Sequence, residues 1–176
     1  MNAMTELDDK IKLLISIDER YNINLLSEVD QLESIQSNFY NVRRIVNPSK
    51  RIVDEMVTIS SDAVKFVINN KHMTNDMLVT VIKNNPQFIK HVINPSEELQ
   101  LIAVSEEYST ILSINNPTIN VMIAAVKKDR RSILYLKNPP VSVKLAAIKH
   151  DVRTIKRIGL VDFTNEELMQ VKLLIT

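Results

Sequence analysis

The chain predicts an all-α fold, a right-handed helical solenoid of about six two-helix repeats behind an N-terminal capping helix. Three observations carry that prediction. Asn94-Pro95-Ser96, Asn116-Pro117-Thr118 and Asn138-Pro139-Pro140 recur every 22 residues, with Asn47-Pro48-Ser49 as an earlier copy. The apolar residues after each start fall in the same columns at helical spacings of three, four and seven, without the period-two alternation of a strand. The chain of 176 residues has one glycine, Gly159, where average usage would give roughly twelve. That scarcity excludes tight hairpins and glycine-built phosphate loops.

The elements follow in order. Thr5 opens a stripe of Leu7, Ile11, Leu14 and Ile15 with Asp8, Asp9 and Lys12 elsewhere, which suits a capping helix within residues 1–24. Asn2-Ala3-Met4 reads as a vector remnant before a native Met4. The array then occupies 25–176, with starts near 25, 47, 72, 94, 116, 138 and 162. Leu25-Leu26-Ser27 makes a first start, His72-Met73-Thr74 replaces Asn-Pro-Ser in a degenerate copy, and Asp162-Phe163-Thr164 makes the last. The departure at His72 and Met73 predicts a bend or shift there.

Each first helix follows a hydroxyl cap, Ser27, Ser49, Thr74, Ser96, Thr118 or Thr164, and Glu167 completes a capping box with Thr164. The Pro before the cap ends the preceding element. Nine residues after the starts stand Met56, Val81, Ala103, Ala125, Ala147 and Val171, and one residue later Ile35, Val57, Ile82, Val104, Val126 and Ile148. The alanines allow close helix approach, and the larger residues fill the core. A second helix starts thirteen residues into each copy, at Ser60, Asn85, Glu107, Asp129 or Asp151, and Asn85-Pro86 pairs a capping Asn with Pro at the first helical position. It contributes columns Val42, Val64, Ile89, Ile111, Ile133, Ile155 and Ile45, Val67, Val92, Ile114, Leu136, Ile158. A single unit cannot bury its own apolar face, so the copies must stack. Lys172 enters a Val/Ile column of the last copy, as a face in water would require.

The segment Asn116 to Ile158 resembles a short α-helical repeat of bacteriophage and large-virus proteins. The shared pattern is Asn-Pro, then Ile123-Ala124-Ala125-Val126-Lys127 or Leu145-Ala146-Ala147-Ile148-Lys149, then an acidic cap and a second apolar turn. It is also similar to the all-helical variant leucine-rich and HEAT-like solenoids. The resemblance implies a right-handed solenoid, a viral or prophage origin and a scaffold rather than a catalyst.

Chemistry-bearing motifs are scarce. There is no cysteine, hence no disulfide or thiolate site. GxSxG, HExxH, P-loop and CxxC sequences are absent. Asp129 and Asp151 are 22 residues apart, but they occupy a capping column. Glu97-Glu98 and Glu106-Glu107 read as solvated acids near helix N-termini, and His72, His91 and His150 as structural or exposed groups. The Asn47, Asn94, Asn116 and Asn138 column reads as side chains bonded to loop backbone, and the methionines as core filler. No catalytic residue, metal site or cofactor is expected.

One feature points outward. Residues 127–157 carry ten cations against Asp129 and Asp151, a net +8 in a chain of net +1, whereas residues 1–46 carry −3. The ridge of Lys127, Lys128, Arg130, Arg131, Lys149, Arg153, Lys156 and Arg157 places Lys127 over Lys149 and Arg131 over Arg153 one repeat apart. The expected function is non-catalytic protein–protein interaction with a partner of acidic surface, which the resemblance makes a phage-encoded protein bound to a host factor. The alternative is a nucleic-acid-binding solenoid using the same ridge; the low net charge and Tyr135 as the lone neighbouring aromatic disfavour it. The longest apolar runs, such as Val121–Val126, are six residues, far short of the roughly 20 a bilayer needs. The acidic N-terminus lacks the features of a leader, so the expected setting is cytoplasmic with no membrane partner.

Overall fold

A computed structural model describes residues 22–161 and 163–175 of the protein. The expected capping helix lies almost wholly outside those residues. All described elements are helical. The chain divides into two units at Thr74/Asn75, within the copy where His72-Met73 replaces Asn-Pro.

In the first unit, α1 (Glu28–Ser37) follows Ser27, whose hydroxyl accepts the Asp30 N–H at 3.3 Å. A six-residue 3-10 turn, Phe39–Arg44, completes that copy. Helix α2 (Lys50–Ile59) starts in the same way, with Ser49 accepting from the Ile52 N–H at 3.3 Å. The Ser49 hydroxyl also donates to the Glu28 carboxylate, so one side chain caps its own helix and ties it to the preceding one. Asn24 spans a repeat too: its amide donates to the Arg44 carbonyl at 2.9 Å and its oxygen accepts the Val46 N–H at 2.6 Å. The short α3 (Ser61–Val64) takes the place of a 3-10 turn. Ile35, Ile52, Val53, Met56, Val64 and Val67 are buried beneath these elements.

The second unit repeats the plan with less variation. Helices α4 (Asn75–Asn84), α5 (Glu97–Glu106), α6 (Ile119–Lys128) and α7 (Val141–His150) each run ten residues. Six-residue 3-10 turns follow the first three, at Pro86–His91, Tyr108–Ser113 and Arg130–Tyr135. After α7 a shorter turn, Val152–Thr154, runs into α8 (Ile155–Ile158), and α9 (Asn165–Ile175) ends the described chain. Ser96 and Thr118 cap α5 and α6 as expected. Thr164 and Glu167 bond each other's backbone N–H in a full capping box. At α7 the capping position is Pro140, which offers no hydroxyl.

In this unit the first-helix columns fall where the sequence places them, while Val92, Leu136, Ile155 and Ile158 of the second element are only half-buried. Val81, Ala103, Ala125, Ala147 and Val171 are buried, as are Ile82, Val104, Val126 and Ile148 beside them. Helices α5, α6 and α7 pack in sequence order. Val126 shares a cluster with Ala147 of the following copy, and Ile148 shares one with Val171 of the copy after that. The residue ten after one start therefore meets the residue nine after the next. Burial of each such Val or Ile side chain contributes about 1.5–3 kcal/mol. Lys172 is exposed next to buried Val171.

Two expectations need correcting. The second element is mostly a 3-10 turn, not an α-helix. Its N–H groups bond three residues back, as Ser132 N–H does to the Asp129 carbonyl at 2.9 Å. Side chains three apart then eclipse, which aligns buried Ile111 with Ile114. Asn85 makes no capping bond; Pro86 presets the first turn without it.

The Asn column also has a different cause. Asn47, Asn94 and Asn138 sit at φ of 58°, 49° and 48°, while Asn116 does not. Asn is among the few non-glycine residues that tolerate the left-handed region, so it substitutes here for glycine. Replacing Asn94 with Ala should cost about 1 kcal/mol and with Gly less than about 0.5 kcal/mol, read as shifts of the denaturant midpoint. Equal losses in the two variants would remove the backbone explanation. The sole glycine, Gly159, has φ 66° and ψ 177°, a region essentially closed to residues with a Cβ.

Candidate binding surface

The ridge begins at helix C-termini. Lys127 and Lys128 close α6, and Lys149 and His150 close α7. Cations there are favoured by the partial negative charge of the last carbonyls. The chain then turns through Asp129 or Asp151, whose carboxylates accept the N–H of the residue two further on. The capping role expected for both is present.

The same carboxylates hold three of the ridge's four arginines. Arg131 grips Asp129 with two parallel bonds, Nε to Oδ1 at 3.0 Å and Nη2 to Oδ2 at 2.7 Å. Arg153 repeats this on Asp151 at 2.9 and 2.7 Å. Arg130 crosses from the earlier copy to Asp151 Oδ2 at 3.1 Å. The Arg131 guanidinium also lies 5.1 Å from the Tyr108 ring centre. Tyr108 and Tyr135 stack at 6.5 Å with planes 5° apart, so the aromatic closest to the ridge already faces another ring.

The bonds from Arg153, with Arg130 nearby, hold the Asp151 carboxyl at about 2, from its usual 3.8. Asp129 is lowered chiefly by Arg131, and both Arg131 and Arg153 are raised in return by their carboxylates. A depressed carboxyl adds stability above its unfolded pKa, near 4, and that contribution is lost as pH falls toward 2. The Asp151→Asn variant should therefore have a lower melting temperature at neutral pH and a flatter decline between pH 4 and 2. Parallel melting curves for the two proteins across that range would show that Asp151 is not responsible.

The predicted ridge thus separates into two parts. Arg130, Arg131 and Arg153 are held by Asp129 and Asp151. Lys127, Lys128, Lys149, Lys156 and Arg157 are exposed and have no carboxylate partner among the described residues. Lys144, which counts toward the +8, is buried with its ammonium 5.6 Å from the Phe163 ring centre and does not belong to the surface.

Lys127, Lys149 and His150 rim an open trough of about 790 Å³ between α6, α7 and α9. Its floor is apolar, with Ile123, Leu145, Ala146, Leu173 and Leu174. The other acids and histidines have local tasks. Glu97 accepts the Thr118 hydroxyl at 2.8 Å, which lowers its carboxyl pKa, and Glu107 accepts from Ser109. His91 lies 5.6 Å from the Phe88 ring, and His72 donates its backbone N–H to Asn70 at 2.9 Å. Among the described residues no group of three or more His, Cys, Asp or Glu side chains could hold a metal ion. No described helix is long and apolar enough to cross a membrane.

Comparison of the chain with protein-family models, curated proteins and solved structures finds no match.

Two features were missed in the sequence. The trough needs α9, whose copy starts 24 residues after Asn138 instead of 22. The second is a buried hydroxyl column, Thr110, Ser132 and Thr154. Ser132 donates to the Ala125 carbonyl at 3.0 Å, closing a helix end, as Asn41 does to the Ser34 carbonyl at 3.0 Å. Its 22-residue recurrence is visible in the sequence, but hydroxyls at that spacing also occur as helix caps, so recurrence alone does not mark burial.

Proposed function

We propose that the chain is a non-catalytic helical-repeat solenoid that docks an acidic protein partner through the lysine part of its ridge. The supporting observation is the contrast between the two parts. Arg130, Arg131 and Arg153 are paired with Asp129 and Asp151, whereas Lys127, Lys128, Lys149, Lys156 and Arg157 are exposed and without carboxylate partners among the described residues. Complementary charge steers encounter and fixes register more than it adds raw affinity. Repeat arrays offer extended surfaces suited to this use. The resemblance of Asn116–Ile158 to repeats of phage and large-virus proteins makes a host protein the preferred partner.

The competing nucleic-acid reading is weakened by the scarcity of rings at the ridge, where Tyr108 and Tyr135 are the only pair among the described residues, because strand binding stacks successive bases on several rings. Titration with random duplex DNA tests it. A protein that neutralises Z phosphates has a log–log salt slope near −0.9Z. The proposal expects no duplex binding at low salt and capture of an acidic protein that Lys127→Glu/Lys149→Glu abolishes. Strong duplex binding with a steep slope would replace it with the nucleic-acid function.

A further inference from the structure

We infer that the trough between α6, α7 and α9 seats an amphipathic helix of the partner, with its acidic residues at one end; this rests on the docking role proposed above. Three helical stripes form the trough. On α6 the stripe passes from Ile123 to Lys127 and on α7 from Leu145 to Lys149, each apolar residue lying one turn before a lysine. Because both helices end there, the cations gather at one end of the trough and the apolar floor occupies the other. The His150 side chain lies at the same end.

The opposite wall, α9, presents apolar side chains to solvent. Leu173 is 75% exposed and Leu174 beside it 37%. Adjacent exposure of this kind, rimmed by charge, marks a protein-binding surface more often than a solvated one. Parallel helical stripes leave a groove in which another helix packs naturally. The length of the α7 stripe, Ser142 to His150, spans about two helical turns. The fitting segment has apolar residues at i, i+4 and i+7 with acids one turn beyond them. Among the described residues no Phe, Tyr or Trp lines the trough, and its apolar floor offers a base neither a stacking ring nor a hydrogen-bond partner.

The test uses the full chain and two fluorescein-labelled peptides. One is a helix of about four turns carrying that leucine stripe and terminal glutamates; the other has the same composition scrambled. The stripe peptide should bind at least tenfold tighter than the scrambled one. Leu173→Glu, at an exposed site where circular dichroism should stay unchanged, should weaken it at least tenfold at every salt concentration. Lys127→Glu/Lys149→Glu should weaken it and invert its salt dependence, because glutamates then face glutamates and salt screens the repulsion. Failure of the stripe peptide to bind would overturn the inference. Equal binding of both peptides with Leu173→Glu silent would overturn it as well, while leaving charge-driven docking intact. Loss of binding in Leu173→Glu but not in the lysine variant would instead reject the docking role, and the acidic partner with it. A concentration-dependent dimer in sedimentation that Leu173→Glu dissolves would assign the trough to a second copy of this chain and end the proposal.

Discussion

Ala147→Asp is expected to unfold the second unit at 25 °C. Ala147 has no exposed surface and lies in a cluster with Val126, Ile133 and Val143. A carboxylate there would enter an apolar contact between α6 and α7. It would either stay charged and unpaired or take up a proton, and both outcomes are costly. The side chain also exceeds the space an alanine leaves between packed helices, so strain adds to desolvation. Together these exceed about 4 kcal/mol, a large share of the 5–15 kcal/mol that holds a domain together. Far-UV circular dichroism and urea melts would read the loss. Lys149→Glu, two residues along the same helix but exposed, should change stability by less than about 1 kcal/mol. Similar losses in the two variants would mean that core and surface columns have been confused.

Lys127→Glu combined with Lys149→Glu should leave the melting temperature nearly unchanged and weaken capture of the proposed acidic partner at least about tenfold at low salt. Rim charges act mainly through the association rate, so that rate should fall while dissociation changes little. The effect should shrink as ionic strength rises and the Debye length drops to about 8 Å. Arg153→Ala is the informative contrast. It removes the two-bonded grip on Asp151, so it should lower stability at neutral pH and leave binding alone. A binding defect as large as that of the lysine pair would show that the ridge acts as one undivided patch.

Much of the architecture was legible because repetition turns single residues into columns. One alanine says little, but Ala103, Ala125 and Ala147 at equal spacing identify a helix contact, and all three are buried. The hydroxyl caps were readable for a similar reason, since Ser27, Ser49, Ser96, Thr118 and Thr164 are all side-chain acceptors at helix starts. The 3-10 form of the second element was half visible. Its two apolar columns differ by three residues, as in Ile111 and Ile114, which is one 3-10 turn.

The candidate surface was less legible. Sequence gave the signs of the charges but not which cations were already engaged. Arg131 and Arg153 are engaged locally because the capping carboxylates of Asp129 and Asp151 keep an oxygen free for the arginine two residues on. Arg130 reaches Asp151 across 21 positions, a contact that depends on how successive copies stack. The Asn column misled because side-chain bonding and left-handed backbone select the same residue; only φ separates them.

Methyl NOE spectroscopy on protein labelled at Ala, Val and Ile tests the stacking of 22-residue copies most directly. Cross-peaks are expected between Val126 and Ala147 and between Ile148 and Val171, each joining the residue ten after one start to the residue nine after the next. Their absence, with Val126 reporting instead to residues of its own copy alone, would contradict the stacked register.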